Sequence, residues 1–464
     1  MPDRKNEEHE EWLGSTSALL FTAEDKAAFR AASGNLDALV EAGETSTDER
    51  PTEWFALPAE GVEVAEAFPR RQHHVTVVLV THDGAAWLPS VLTGLANQTR
   101  PPDAAVAVDT DSSDHSPTLL RASFGVERVV TVPAKQGFGR AVLRGLESVG
   151  RVAAPDSDES EGQFTQWVWL LHDDSAPDPT CLAALLKTAD DHPSASVLGP
   201  KILGWHDRRL LLEVGVSISN SGRRLTGLER GEHDQGQHDG VRDVLSVSSA
   251  GMLVRREIWE LLGGFDPQLK LFRDDLDFCW RAQRAGARVL VATDAVVHHR
   301  EAATHGSRST DIAARPHRAE RAASVHVLLA HVAFFATPFV ALRLLFGSAL
   351  RSVAYLLGKD LRAARDEIIA VFIVAIHPWS MHRSRRLVKA TATEPASIVR
   401  HLRPQLAWQL RQGLEAVAGI ITTSGASTGP EISALDSGPI DDDAAYLSDK
   451  SARWIRRMLL RPST

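Results

Sequence analysis

Three carboxylates, Asp274, Asp275 and Asp277, fall within four positions of the segment Leu271-Phe-Arg-Asp-Asp-Leu-Asp-Phe-Cys-Trp-Arg281. Phe272, Leu276, Phe278 and Trp280 frame them. Carboxylates in an apolar frame are costly unless a cation or a reaction uses them. A second acidic cluster, His172-Asp173-Asp174, follows the apolar run Trp167-Val-Trp-Leu-Leu171, and the pair His298-His299 closes another apolar run. Two acidic clusters and a histidine, each at the end of an expected strand, point to metal-assisted group transfer. Asp275 is the candidate general base, since a carboxylate in a partly dry site can take the proton of an attacking hydroxyl. Asp274 supports it, and Asp277 either supports it or caps a helix. Asp174 is the candidate metal ligand through its carboxylate, and His298 through a neutral imidazole nitrogen. The competing reading of 172–174 is a helix N-cap, with Asp174 or Ser175 capping the helix expected near Pro179. Mg²⁺ or Mn²⁺ held there would offset the charge that grows on a diphosphate leaving group.

Elements that position these residues follow from periodicity. The run 75–80, Val-Thr-Val-Val-Leu-Val, reads as a strand covered on both faces. Helices at 85–97, 140–149 and 179–188 alternate with strands at 104–108, 126–132 and 166–171. That alternation predicts parallel pairing in a doubly wound α/β sheet. From 194 to 299 the pattern is mixed, with short strands at 196–198, 211–219, 245–249 and 288–292 and helices at 255–262 and 277–285. Residues 150–162 are polar and acidic and read as an inserted loop.

In an open α/β sheet ligands bind beyond the carboxyl ends of the strands. Asp109 ends the second strand and opens Asp109-Thr-Asp-Ser-Ser-Asp114. It can accept from the N–H of a pyrimidine base or from a ribose hydroxyl, although a turn aspartate is an equally simple reading. Thr81-His-Asp-Gly84 ends the first strand beside it, which brings Thr81 and Asp83 to the same nucleoside. Lys135-Gln-Gly-Phe-Gly-Arg140 precedes a helix, so Gly137 and Gly139 allow close backbone approach and Lys135 or Arg140 can meet a phosphate. No third glycine stands in dinucleotide-binding spacing.

The chain has 464 residues, 43% hydrophobic and 24% charged, enough for two or three domains. Its two cysteines, Cys181 and Cys279, fit a reducing compartment. The net charge of -9 is unevenly placed: residues 1–70 hold 16 Asp/Glu against 6 Lys/Arg, and residues 315–411 hold 15 Lys/Arg against 5 Asp/Glu. The expected organisation is an acidic, partly disordered leader (1–72), a catalytic domain (73–310), a basic, apolar helical region (311–421), and a linker with a short terminal helix (422–464). The leader contains one helical stretch, 23–42. The run 325–342 is barely long enough to span a bilayer, and its two histidines and a proline argue against a simple span. A basic amphipathic helix at an anionic membrane surface fits the segment, with a helical hairpin packed on the catalytic domain as the rival. No nucleic-acid motif is present.

The region from about His74 to Arg300 resembles the family 2 inverting glycosyltransferases of GT-A fold. The likeness rests on the order and spacing of 75–83, Val108-Asp-Thr-Asp-Ser-Ser-Asp114, the Gly137 loop, Leu171-His-Asp-Asp-Ser175, Gly251-Met-Leu-Val-Arg-Arg256, Gly263-Gly-Phe-Asp266, the 274–281 cluster and His298. Within the family it looks most like actinobacterial cell-wall rhamnosyl- and galactofuranosyl-type transferases. The resemblance implies Asp109 on the base of a UDP- or dTDP-sugar, with Asp111 and Asp173 also on the nucleotide side. It further implies Asp174 on the metal, His298 near the metal-bound diphosphate, and Asp275 as base. Trp259, Gly264, Phe265 and Asp266 would shape the acceptor side. The chain departs from the family pattern at His172, at Asp274 (usually Glu) and at Asp111. The implied activity is transfer of a sugar to a hydroxyl of a cell-wall or lipid-linked glycan at the inner face of the plasma membrane. A metal-dependent nucleotidyltransferase and a non-catalytic membrane scaffold are the alternatives.

Overall fold

The apolar run 75–80 is the middle of a strand buried on both sides. Val75, Val77 and Leu79 join one core and Val78 and Val80 the other. A computed structural model describes residues 72–152, 164–229, 231–301 and 315–404. The expected acidic leader, the polar insert beyond residue 152, and the linker and terminal helix lie outside the described residues.

The first half alternates as the periodicity requires: β1 (Gln72–Thr81), α1 (Leu88–Ala96), β2 (Ala104–Asp109), α2 (Ser116–Phe124), β3 (Val129–Thr131), α3 (Phe138–Val149) and β4 (Phe164–His172). The second half is broken into shorter pieces. They are β5 (Ser175–Pro177), α4 (Cys181–Asp191), β6 (Ala195–Gly204), β7 (Leu211–Glu213), β8 (Ser217–Ile218), β9 (Arg224–Leu225), β10 (Arg242–Asp243), β11 (Leu253–Arg255), α5 (Arg256–Leu261), α6 (Asp274–Arg284) and β12 (Arg288–His299). Four helices follow: α7 (Pro316–His331), α8 (Thr337–Leu357), α9 (Leu361–Ala375) and α10 (Pro378–Ala390).

The main sheet runs β10-β12-β6-β11-β4-β1-β2-β3. β1 pairs in parallel with both β2 and β4, and β2 with β3. Helices α1, α2 and α4 cover one face, while α3, α5 and α6 cover the other. β11 lies antiparallel between β4 and β6, so the sheet is mixed. This is the doubly wound GT-A architecture with a Rossmann-like half. The switch point at β1 and β4 directs the carboxyl ends of both strands to one edge.

Local details differ from the sequence expectations for physical reasons. Segment 245–249 forms one isolated bridge, Val216 to Ser246, and β11 supplies the ladder there instead. α6 starts at Asp274, three residues earlier than expected, because Arg273 adopts a left-handed φ of 64° and the acidic residues that follow fill the first turn. Carboxylates there face the positive end of the helix dipole.

The apolar run 325–342 divides in two. Val325, Val327, Leu328 and Leu329 are buried in α7, in a core shared with Leu276 and Trp280 of α6. The helix stops at extended Val332, and Pro338 begins α8 in the position proline favours. α8 is amphipathic in reverse. Leu344, Ser348, Ser352 and Tyr355 form its buried face. Phe339, Leu342, Phe346, Leu350, Val353 and Leu357 recur at helical spacing on the exposed side, continuing from Phe335 in the preceding 3-10 turn, which is 86% exposed. Phe334–Leu357 is, among the described residues, the one helix long and apolar enough to cross a membrane by length and composition.

Candidate functional site

The site begins where β1 and β2 end side by side, with Thr81 paired to Asp109 in register. Both side chains are buried, and both Thr81 Oγ1 and Asp109 Oδ1 lack a hydrogen-bond partner. A buried carboxylate oxygen left unpaired costs free energy unless a ligand completes it. The second oxygen of Asp109 accepts weakly from the Ser112 N–H at 3.4 Å. The adjoining loops are tied together: Asp83 Oδ1 accepts from Ser113 N–H at 2.7 Å, and Asp83 N–H donates to Ser112 Oγ at 3.0 Å. Asp111 is exposed and left-handed at φ 60°. Asp173 is buried and accepts from the His82 N–H at 2.7 Å, so it holds the β1 loop. Gly84 permits this, because a Cβ at that position would lie 2.2 Å from Asp173 Oδ2. Gly137 opens α3 at φ 79°, and a Cβ there would come within 2.5 Å of the Lys270 carbonyl oxygen. Half-buried Arg140 lies in the first turn of α3.

Next to this edge, His172, Asp174 and His299 offer ligand atoms that all lie within 4.8 Å of one another. His299 Nε2 stands 3.3 Å from Asp174 Oδ1, and its Nδ1 is buried without a partner. Burial pulls His299 down, but the Asp174 carboxylate, with Glu301 and Glu213, outweighs it and leaves the imidazole above its usual pKa. The expected ligand His298 is directed elsewhere. Its Nε2 meets Asp178 Oδ1 at 3.1 Å and its Nδ1 the Gly204 carbonyl at 3.2 Å. Adjacent residues of a strand face opposite sides, and here the parity favours His299. Two imidazoles and a carboxylate suit Mn²⁺ better than Mg²⁺, which prefers an all-oxygen shell.

The carboxylate cluster of α6 separates into three roles. Asp275 Oδ1 accepts from Leu276 N–H at 2.7 Å, and its Oδ2 from Arg224 at 3.2 Å. Arg224 also forks onto both oxygens of Glu213. Burial, and then the adjacent Asp275 carboxylate, push Asp274 well above the ordinary carboxylate range. Glu301, pushed up to about 7 by burial, lies in the field of His299, Glu213, Arg224 and Asp174. Glu301 thus interacts electrostatically with both His299 and Arg224.

Asp277 faces the other way. Its oxygens accept from Arg281 Nε at 2.7 Å and His331 Nε2 at 2.9 Å, while Arg281 donates to the carbonyls of Leu262 and Gly264. Burial opposes the Asp277 anion, yet Arg281 and His331 outweigh it and hold the carboxyl below its usual range. Burial lowers His331, so the ring is the neutral donor and Arg281 carries the charge. Asp277→Asn strands a fully buried guanidinium and should lower unfolding free energy by about 3–5 kcal/mol. Because the folded pKa is depressed, this stabilisation is complete above the unfolded carboxylate pKa of about 3.9 and fades as pH falls below it. Urea unfolding of wild type and variant at neutral pH measures it, and a loss below about 1 kcal/mol would contradict the assignment.

Three residues expected on the acceptor side belong to the core. Trp259 and Phe265 pack on Phe278 with ring centroids 5.3 Å apart in each case, and both are buried. Gly264 is also buried and gives its carbonyl to Arg281. An aromatic cluster beneath α6 gains more from burial than from exposure to a polar glycan. Asp266 is buried, with Oδ1 accepting from Gln268 N–H at 2.9 Å and Oδ2 lying 3.8 Å from His326. Arg224, Glu213, His299 and Glu301 were not singled out by sequence reasoning. Only the His298-His299 pair carried a signal.

The chain is similar to known glycosyltransferases. A family model described as glycosyltransferase like family 2 matches residues 71–320, just over half of the chain. The N-acetylglucosaminyl-diphospho-decaprenol L-rhamnosyltransferase of Mycobacterium tuberculosis is 26% identical over 257 residues, 51% of this chain and 80% of that protein. The galactofuranosyltransferase GlfT1 of Mycolicibacterium smegmatis is 26% identical over 220 residues, 46% of this chain and 66% of its own. Among solved structures, the mannosyltransferase PcManGT from Pyrobaculum calidifontis, in complex with GDP-Man and Mn²⁺, aligns over 95% of this chain and 98% of its own, with 16% identity and a TM-score of 0.37.

Proposed function

This chain belongs to the glycosyltransferase like family 2, and from that premise we propose that it moves one sugar, with inversion, from a UDP- or dTDP-linked donor to a hydroxyl of a lipid-linked glycan. The observation that carries the reading is the buried, unpartnered Asp109 Oδ1 beside Thr81, on the same sheet edge as His172, Asp174 and His299. A pyrimidine N–H is the donor that Asp109 lacks. Arg140 at the start of α3 would receive the diphosphate, and Asp173 and Asp83 would keep the two loops shaped for the nucleoside.

His172, Asp174 and His299 would hold the divalent cation, Mn²⁺ by preference, with the diphosphate oxygens completing its shell. When bound, the ion stabilises negative charge on the departing nucleoside diphosphate. Asp275, oriented by Arg224, takes the proton of the acceptor hydroxyl as that oxygen attacks the anomeric carbon from the face opposite the leaving group. Asp274, held towards its protonated form, stands beside it as a positioning residue. The acceptor class is suggested by the mycobacterial relative, whose name specifies a diphospho-decaprenol sugar. The reverse-amphipathic α8 supports contact with the inner face of a membrane. An exposed apolar stripe of this length marks an interaction surface, and α8 to α10 expose Arg343, Lys359, Arg362, Arg365, Arg383, Arg386 and Lys389 against one exposed carboxylate, Asp360.

Nucleotide binding tests the donor assignment. UDP and dTDP should raise the melting temperature of the wild type in the presence of Mn²⁺. Asp109→Ala should weaken both by about ten- to a hundred-fold, the loss of a hydrogen bond to a charged group. Equal stabilisation by GDP, or unchanged UDP affinity in the variant, would overturn it.

A further inference from the structure

Resting on the proposed lipid-linked acceptor, we infer that Arg343 and Arg403 form the site that receives the acceptor's diphosphate. The two arginines come from distant parts of the chain and converge on one residue. Arg343 donates to the Asn220 carbonyl at 2.9 Å, and Arg403 to the Asn220 side-chain oxygen at 2.7 Å. Neither has a carboxylate partner among the described residues. Arg403 also lies over the Trp280 ring, 5.6 Å from its centroid, and its segment is pinned where Ser217 Oγ donates to the Leu402 carbonyl at 2.9 Å. Burial, followed by the field of Arg343, lowers the Arg403 pKa. Two like charges held together by neutral oxygens alone form a site short of an anion. A guanidinium pair suits a diphosphate, because each fork can take two oxygens.

The location favours the acceptor over the donor. Asn220 sits at the tip of the β8–β9 hairpin, and Arg224 on the same hairpin grips Asp275. Trp280, beneath Arg403, is on α6 with Asp275, about 7.5 Å along the helix axis. On the far side, Arg343 is flanked in α8 by exposed Leu342 and Phe346, members of the apolar stripe. Base, cation pair and apolar stripe therefore follow one another in the order hydroxyl, diphosphate, prenyl chain. The donor diphosphate has its own site at the sheet edge.

Titration calorimetry with farnesyl diphosphate, run on the full chain, tests the site. Arg343→Gln/Arg403→Gln should weaken this binding at least about tenfold while leaving UDP affinity in Mn²⁺ unchanged. Arg343→Gln alone, at an exposed position with one hydrogen bond, should give a smaller loss in the same direction and guards against misfolding of the double variant. With a farnesyl-diphosphate-linked sugar as acceptor, KM should rise and kcat should change little. Unchanged farnesyl diphosphate affinity overturns the inference. So does a variant that loses only co-sedimentation with phosphatidylglycerol vesicles, since the arginines would then read lipid headgroups. Wild type that binds farnesyl diphosphate through both arginines yet transfers no sugar keeps the site and removes the proposed function. Transfer with an unchanged acceptor KM does the reverse.

Discussion

Asp275→Asn should lower sugar transfer by about 10²- to 10⁴-fold, the usual worth of a positioned general base, while nucleotide affinity stays within about twofold. The argument is geometric. Asp275 sits in the first turn of α6, its Oδ1 fixed by the Leu276 N–H and its Oδ2 by Arg224. The nucleoside edge is built from Thr81 and Asp109 on other strands. Asparagine preserves the shape and leaves Arg224 its fork onto Glu213, so neither fold nor donor site should change. Turnover and UDP affinity of Asp274→Asn and Asp275→Asn, measured side by side, decide the matter. Asp274→Asn should be milder, because that carboxyl is already pushed towards its neutral form. An active Asp275→Asn beside a dead Asp274→Asn would move the base by one residue.

Removing a metal ligand should have the next largest effect. Asp174→Ala and His299→Ala should each weaken Mn²⁺ binding by more than about 100-fold, beyond the 10- to 100-fold typical of residues that only orient ligands. His298→Ala should leave Mn²⁺ binding close to wild type, since its nitrogens are engaged with Gly204 and Asp178. Electron paramagnetic resonance of free Mn²⁺ in titrations with UDP reads this without any turnover. Loss of binding in His298→Ala with retention in His299→Ala would reverse the assignment.

The half of the fold built on β1 to β4 was readable because burial on both faces makes continuous apolar runs, and strand–helix alternation leaves parallel pairing as the simple solution. The placement of Asp109 at a strand end and of Asp275 in a carboxylate-rich helix start was readable for a related reason: one follows a clear strand and the other lies in an unusual run of carboxylates. The choice between His298 and His299 was not. It depends on strand parity, and β12 breaks register with β6 between Ala292 and Val296, so counting alternate residues from the start of the strand fails. Arg224 and Glu213 lie on strands of two and three residues, too short for a period, and only the tertiary fold brings Arg224 to both Glu213 and Asp275. Gly263-Gly264 beside Trp259 and Phe265 reads as a surface turn, yet packing with Phe278 draws the rings inward. In α8 the apolar content was evident. Which face is packed was not, because Ser348 and Ser352 turn inward to meet Arg321 and the Ala364 carbonyl.

The most direct measurement is product analysis after incubation with Mn²⁺, a UDP- or dTDP-sugar and a prenyl-diphosphate-linked sugar acceptor. Proton NMR of the new glycosidic linkage, with chromatography of the released nucleotide, should show free nucleoside diphosphate and an anomeric configuration opposite to that of the donor. Release of sugar 1-phosphate with the nucleoside monophosphate joined to the acceptor, or a retained anomer, would contradict the account.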